Sequence, residues 1–187
     1  MHTARERLLQ LLRERSYQRG EVLLASGKKS DFFIDCKKTV LAPDGHLLAG
    51  EVLCRELEEA AETKDGLAAL AAVPLGGCPL AGATALVAFQ RGLPVNLLYV
   101  RQEKKDHGTG QRIEGSHGLP SGSKVVLVED VVTTGGSSLR AVAGLREAGF
   151  EVVLLLALVD RLEGGRENIE AQGVTFRSVF TRRDFVQ

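Results

Sequence analysis

Val125-Val126-Leu127-Val128-Glu129-Asp130-Val131-Val132-Thr133-Thr134-Gly135-Gly136-Ser137 changes chemical character twice along its length. The four apolar β-formers at its start predict a buried parallel strand, entered from the turn signal Pro120-Ser121-Gly122. Glu129 and Asp130 then stand where that strand is expected to end. From Gly135 a helical pattern opens, with Ala141, Val142, Leu145 and Ala148 on one face and Gly149 closing it. A helix N-terminus offers unpaired N–H groups and partial positive charge, so it attracts phosphate. Thr133, Thr134, Ser137 and Ser138 add hydroxyl donors, and Gly135 and Gly136 let the backbone approach an anion. Strand-end acids accept hydrogen bonds from sugar hydroxyls. One loop would thus hold a ribose by its diol and its 5′-phosphate together. The plainer reading is two solvated acids before an ordinary capped helix. Acids set between an apolar strand and a Thr/Gly/Ser loop favour the phosphosugar.

The remaining sequence frames that site. A chain of 187 residues with 44% hydrophobic and 26% charged residues suits one globular domain with a well-buried core. Lys+Arg and Asp+Glu are equal at 24 each, which argues against a nucleic-acid partner. Residues 1–15 are charged and amphipathic rather than a signal peptide, and no apolar run reaches membrane-spanning length. The expected compartment is the cytoplasm. Cys36, Cys54 and Cys78 are far apart, and His2, His46, His107 and His117 form no metal pattern with them.

Ala4, Leu8, Leu11 and Leu12 predict an amphipathic first helix. Short strands are expected at 22–24 and 32–35, around a donor-rich turn, Ser26-Gly27-Lys28-Lys29-Ser30. That hairpin is either a plain basic tip or a flap over a site. A helix follows from Pro43, its buried stripe at Ala49, Leu53, Leu57 and Ala60. A strand at 67–73 then runs through Pro74-Leu75-Gly76-Gly77 into an apolar helix at 80–89, a second strand–glycine–helix joint suited to phosphate oxygens. After a strand at 94–100 the pattern collapses. Residues 101–120 are polar and aperiodic, long for a connection, and rich in Arg, Lys and His, so they read as a mobile anion-binding lid. Strands at 152–159 and 174–179 flank a short helix at 167–171. The alternation predicts an α/β fold: a mainly parallel sheet, helices on both faces, ligands at the strands' carboxyl ends.

The central stretch resembles the phosphoribosyl-pyrophosphate (PRPP) signature of type I phosphoribosyltransferases: an apolar run, two acids, two apolar residues, then Thr-x-Gly-x-Ser/Thr. Ser26-Gly27-x-x-Ser30-x-Phe32-Phe33, Arg101-x-Glu103-x-Lys105-x-His107-Gly108 and Asp160-Arg161 narrow the resemblance to the orotate phosphoribosyltransferase family, over roughly residues 20–165. That resemblance implies the type I phosphoribosyltransferase fold with a small N-terminal hairpin flap (about 1–40). It also implies transfer of the 5-phosphoribosyl group from PRPP to orotate, giving orotidine 5′-monophosphate and pyrophosphate in UMP biosynthesis. Glu129 and Asp130 would meet the ribose hydroxyls. The loop Thr133, Thr134, Gly135, Gly136 and Ser137 would hold the 5′-phosphate, with Val131 and Val132 also on the PRPP-binding stretch and Thr133 also near orotate. Gly76 and Gly77 would line the diphosphate. Arg161 would meet the orotate carboxylate, with Ser26, Gly27, Lys28, Phe32 and Phe33 on the base side. Arg101, Lys104, Lys105 and His107 would clamp the pyrophosphate, reaching into the partner's site in a homodimer, with Lys105 and His107 counted with the two acids as catalytic. Mg2+ would arrive on PRPP rather than on dedicated ligands.

Three positions depart from the family's habit. Ala25 stands where a Lys often precedes Ser-Gly, Gln102 replaces a lid Lys, and Gly76 occupies the place of a diphosphate-loop Lys. Two alternatives are set aside. A purine-type transferase fits the flap and Arg161 less well. A PRPP-sensing regulator would be expected to lose the acids or to carry a DNA-binding element.

Overall fold

The structure, a computed structural model, describes residues 2–23, 29–60, 63, 66–101 and 113–186. Helix α1 (Ala4–Arg15) begins at a capping box in which Thr3 and Glu6 satisfy each other's backbone N–H groups. Strands β1 (Tyr17–Leu23) and β2 (Lys29–Ile34) pair antiparallel as a separate ribbon. A four-residue helix, α2 (Lys37–Val40), leads into α3 (Pro43–Glu59). The chain then alternates through β3 (Leu67–Ala72), α4 (Gly77–Gln90), β4 (Asn96–Val100), β5 (Ile113–Glu114), β6 (Lys124–Val132), α5 (Gly136–Glu147), β7 (Glu151–Asp160), α6 (Gly165–Glu170) and β8 (Thr175–Thr181). A 3-10 turn, Arg182–Asp184, follows.

The main sheet has the order β5-β4-β3-β6-β7-β8 and is parallel except at β5. From β3 the chain moves outward to β4, then returns to place β6 on β3's other side. Connections therefore diverge between β3 and β6, and a crevice opens at their carboxyl ends. Strand side chains alternate between two cores. Val126, Val128, Leu154 and Leu156 pack with Leu8, Leu53 and Leu80 of α1, α3 and α4. Val125, Leu127, Leu155 and Ala157 pack with Ala141, Val142 and Leu145 of α5 and Ile169 of α6.

Four expectations are corrected. Strand β6 does not stop at the acids, because Glu129, Val131 and Val132 pair with Ala157, Val159 and Asp160 of β7. Stopping at Val128 would leave the end of β7 without backbone partners on that side. Ala148 is the exposed C-cap of α5, and Gly144 is buried in its stead. The aperiodic stretch 101–120 is not loop throughout. Ile113 and Glu114 pair with Val100 and Tyr99, and Ile113 is buried in the α5-side core.

The fourth correction concerns Phe32, expected beside a base. Its ring is fully buried, 5.3 Å from Tyr17 and 5.9 Å from Phe185. The guanidinium groups of Arg161 and Arg182 lie over it at 5.7 and 5.5 Å. An Arg182–Asp31 ion pair of 2.6 Å ties the same strand to the C-terminal turn. The root of the hairpin is therefore pinned, while its tip, residues 24–28, lies outside the described residues. Phe33, one pleat away, is half-buried.

This separation is measurable. Phe32→Ala should cost about 3–5 kcal/mol in denaturant unfolding, as for a truncated core aromatic. Phe33→Ala should cost roughly 1 kcal/mol or less. Equal losses would contradict the division between the two rings.

Candidate functional site

The pleat of β6 sends its two acids to opposite faces of the sheet. Glu129 turns toward α5, where its Oε2 accepts from Ser138 Oγ at 3.1 Å and from Ser137 Oγ at 3.4 Å. It is only 4% exposed. Burial above all, then the charge of Asp130 next to it, pushes its pKa up to about 8. Asp130 turns the other way, half-buried against the loop after β3. A methyl group placed on Gly76 would collide with the Asp130 carboxyl, so the absence of a side chain at 76 is what admits Asp130 there. Gly77 is equally constrained, but by the backbone carbonyl of Val128.

The loop between β6 and α5 takes the form the sequence suggests. Gly135 is the N-cap of α5 at φ +81°, a left-handed conformation that favours glycine, and no side chain caps the helix. The N–H groups of the first turn are thereby left for a ligand. Thr134 and Gly136 are exposed, Thr133 and Ser137 half-buried. Helix α6 braces this loop from behind. Asn168 Nδ2 donates to the Thr134 carbonyl at 2.9 Å, and Gly165 packs so closely that an added Cβ would lie 2.6 Å from the Thr133 carbonyl oxygen. Neither residue was legible as part of the site, because nothing local to 165–168 signals a contact with 133–134.

Arg161 follows β7, and its backbone N–H donates to the Val132 carbonyl at 2.9 Å, which sets it beside the acids' strand. Its guanidinium is buried, donates to the Phe32 carbonyl at 3.2 Å and pairs with Glu163 at 2.8 Å. Asp160 is also buried. Its Oδ1 accepts from the Leu162 N–H at 2.8 Å, and its Oδ2 has no hydrogen-bond partner among the described residues. Arg101 pairs with Glu114 of β5 at 2.9 Å. The crevice thus gathers Gly76, Gly77 and Val131 through Ser137, with Arg161 at the next strand end. Arg101 stands beyond β3, at the end of β4. Ser26, Gly27, Lys28, Lys104, Lys105 and His107, and the departures Ala25 and Gln102, lie outside the described residues.

Two other features are not part of it. A shallow hollow of about 710 Å3, lined by Lys124, Arg146 and Glu151 among others, opens at the amino ends of β6 and β7, the wrong end of a parallel sheet for ligands. Cys36 and Cys54 are buried free thiols, and Cys78 is half-buried.

Two outcomes check this geometry. Gly76→Ala meets only a flexible carboxylate and should cost little stability in denaturant unfolding; Gly77→Ala meets backbone and should destabilise by about 1–3 kcal/mol. Similar behaviour of both variants would refute the contrast. The second concerns pH. Glu129 has a folded-state pKa above its unfolded value, so between about 4.5 and 8 the folded protein binds more protons than the unfolded chain. Stability should therefore decline across that window as pH rises, by on the order of a few kcal/mol. Glu129→Gln should flatten the decline in unfolding curves recorded from pH 5 to 9. A wild-type curve that rises instead would show that Glu129 is not held neutral.

The chain is similar to known proteins over most of its length. Residues 46–178 match the model of the phosphoribosyl transferase domain. An orotate phosphoribosyltransferase of Sorangium cellulosum (strain So ce56) is 53% identical over 97% of this chain and 93% of its own length. The crystal structure of Mycobacterium tuberculosis H37Rv orotate phosphoribosyltransferase in complex with Fe(III) dicitrate superposes with a TM-score of 0.82 at 33% identity, covering 99% of this chain and 100% of that one. The same enzyme in complex with PRPP gives 0.79 at 31% identity, covering 98% and 99%. The chain belongs to the phosphoribosyl transferase family and, within it, to the orotate phosphoribosyltransferases.

Proposed function

We propose that residues 1–187 of this orotate phosphoribosyltransferase form a single phosphoribosyltransferase domain. In this reading it joins PRPP and orotate in the crevice between β3 and β6, releasing orotidine 5′-monophosphate and pyrophosphate. The observation that carries the reading is the join of β6 to α5: two acids at the strand end, facing opposite sides, directly before an uncapped helix N-terminus. The 5′-phosphate would rest on Thr133–Ser137, and the ribose diol would lie across the strand end, within reach of both acids. Orotate would stack on the β7 side, its carboxylate toward Arg161. Relatives named for orotate support this base over a purine.

Breaking the bond from C1′ to the diphosphate oxygen builds positive charge on the ribose and negative charge on the leaving group. Asp130 suits the former, since its carboxylate is the more open of the pair. Arg101, Lys104, Lys105 and His107 would neutralise the latter and exclude water. Mg2+ carried on the diphosphate supplies further neutralisation when bound. Asp130, half-buried beside the Gly76–Gly77 loop, would face an ion that arrives on the diphosphate. No described helix is long and apolar enough to cross a membrane, in keeping with a cytoplasmic enzyme.

A second copy of the chain completes the proposal. Helix α4 carries no charged residue, and its outer face presents Leu86 and Phe89, exposed by 61% and 69%; Leu75, in the loop before the helix, is exposed by 77%. Large exposed apolar side chains suit burial against a partner. The lid of one subunit would then act on the Asp130 of the other.

A mixing experiment tests site and sharing together, with orotate absorbance followed in the presence of PRPP and Mg2+. Lys105→Ala damages the lid a subunit donates, and Asp130→Ala the pocket it hosts. Each variant alone should be nearly inactive. After subunit exchange, about half the dimers are mixed, each with one intact site of two, so activity should return to about one quarter of wild type. Activity that stays at the variants' level after exchange is verified would place the lid in its own subunit's site.

A further inference from the structure

Lys37 is missing from every motif named above. Its neighbour Cys36 is fully buried in the apolar core that also holds Ala72 and Val128. The strand before it is tied to the carboxyl ends of β6 and β7, since the Phe32 carbonyl accepts from Arg161, whose own backbone N–H donates to the Val132 carbonyl. Asp35 is tied back by its own N–H to the Ser16 carbonyl at 3.0 Å. Its Oδ1 then accepts from both the backbone N–H of Lys37 at 3.3 Å and the Lys37 ammonium at 2.6 Å. One oxygen thus fixes the start of the lysine and its end. The Lys37 side chain is 44% exposed, so its ammonium keeps a face toward solvent. The charge of Asp130 acts on both Cys36 and Lys37, which puts the three within electrostatic reach of one another.

The same corner lacks a cation of its own on the loop after β3. Pro74-Leu75-Gly76-Gly77 carries none, and Gly76 has no room for a side chain while Asp130 occupies that space. A phosphorylated sugar bearing a diphosphate brings several negative charges to this loop and to Asp130. Those charges need a partner from an adjacent element, and Lys37 is in place.

We propose that Lys37, oriented by Asp35, is a further PRPP-binding residue that supplies the positive charge the Gly76–Gly77 loop cannot carry. Asp35 is then a positioning residue, since it acts through Lys37. The inference rests on the assignment of the crevice to PRPP. Because Lys37 belongs to the same chain as Asp130, it would act in cis, whichever subunit contributes the lid.

Calorimetric titration with PRPP and Mg2+, paired with steady-state kinetics, tests it. Lys37→Ala should weaken PRPP binding and raise KM for PRPP by about tenfold, the loss of one charged hydrogen-bond partner. KM for orotate should change by no more than about twofold, and the thermal midpoint by a few degrees at most. Lys37→Arg should recover most of the affinity, and Asp35→Asn should give a smaller loss of the same kind. Unchanged PRPP affinity in Lys37→Ala, with the wild type binding normally, overturns the role of Lys37 alone. Equal losses toward PRPP and orotate overturn it as well, marking the residue as structural. A wild-type protein that binds no PRPP overturns the assignment of the crevice itself.

Discussion

The pleat of a single strand governs the site. Strand β6 stays paired with β7 as far as Val132, and its side chains at 129 and 130 face opposite sides of the sheet, Glu129 toward Ser138 and Asp130 toward Gly76. Glu129 is driven into the α5 side, where two serines of the next helix receive it and burial keeps its proton on. Asp130 is driven to the α4 side, where only a glycine leaves it space. Had β6 frayed at Val128, both acids would be solvated and the loop would have no fixed relation to them.

The rest of the fold supports that strand end. The reversal of strand order between β3 and β6 supplies the crevice, and α6 holds the loop between β6 and α5 through Asn168 and Gly165. The aromatic cluster of Tyr17, Phe32 and Phe185 fixes the root of the hairpin against the C-terminal turn. Arg161 joins the two regions, with its backbone on β6 and its guanidinium on β2. Substitutions at Phe32 or Arg161 therefore disturb both the root of the hairpin and the ends of β6 and β7.

Much of this was legible in the chain because it is local. Apolar runs marked the strands, and the Thr/Gly/Ser loop marked the start of α5, since both depend on neighbours a few residues apart. Long-range contacts were not legible. Phe32 and Phe33 look alike in sequence, and only the positions of Tyr17 and Phe185 decide which ring is core. The end of β6 was set too early because Glu and Asp are poor strand formers, and pairing with β7 overrode that preference. Ile113 and Glu114 are too short a strand to show a period of their own. Lys37 carried no signal of function, because its meaning depends on Asp130, far along the chain.

A crystal structure with PRPP and Mg2+ bound tests the central claim, that the β6–α5 junction holds the phosphosugar. The account requires the 5′-phosphate within hydrogen-bonding distance of the backbone N–H groups of residues 134–137, and the ribose diol over the end of β6 beside Asp130. A phosphate seated elsewhere, such as against Lys124 and Arg146 at the amino ends of the strands, would contradict it.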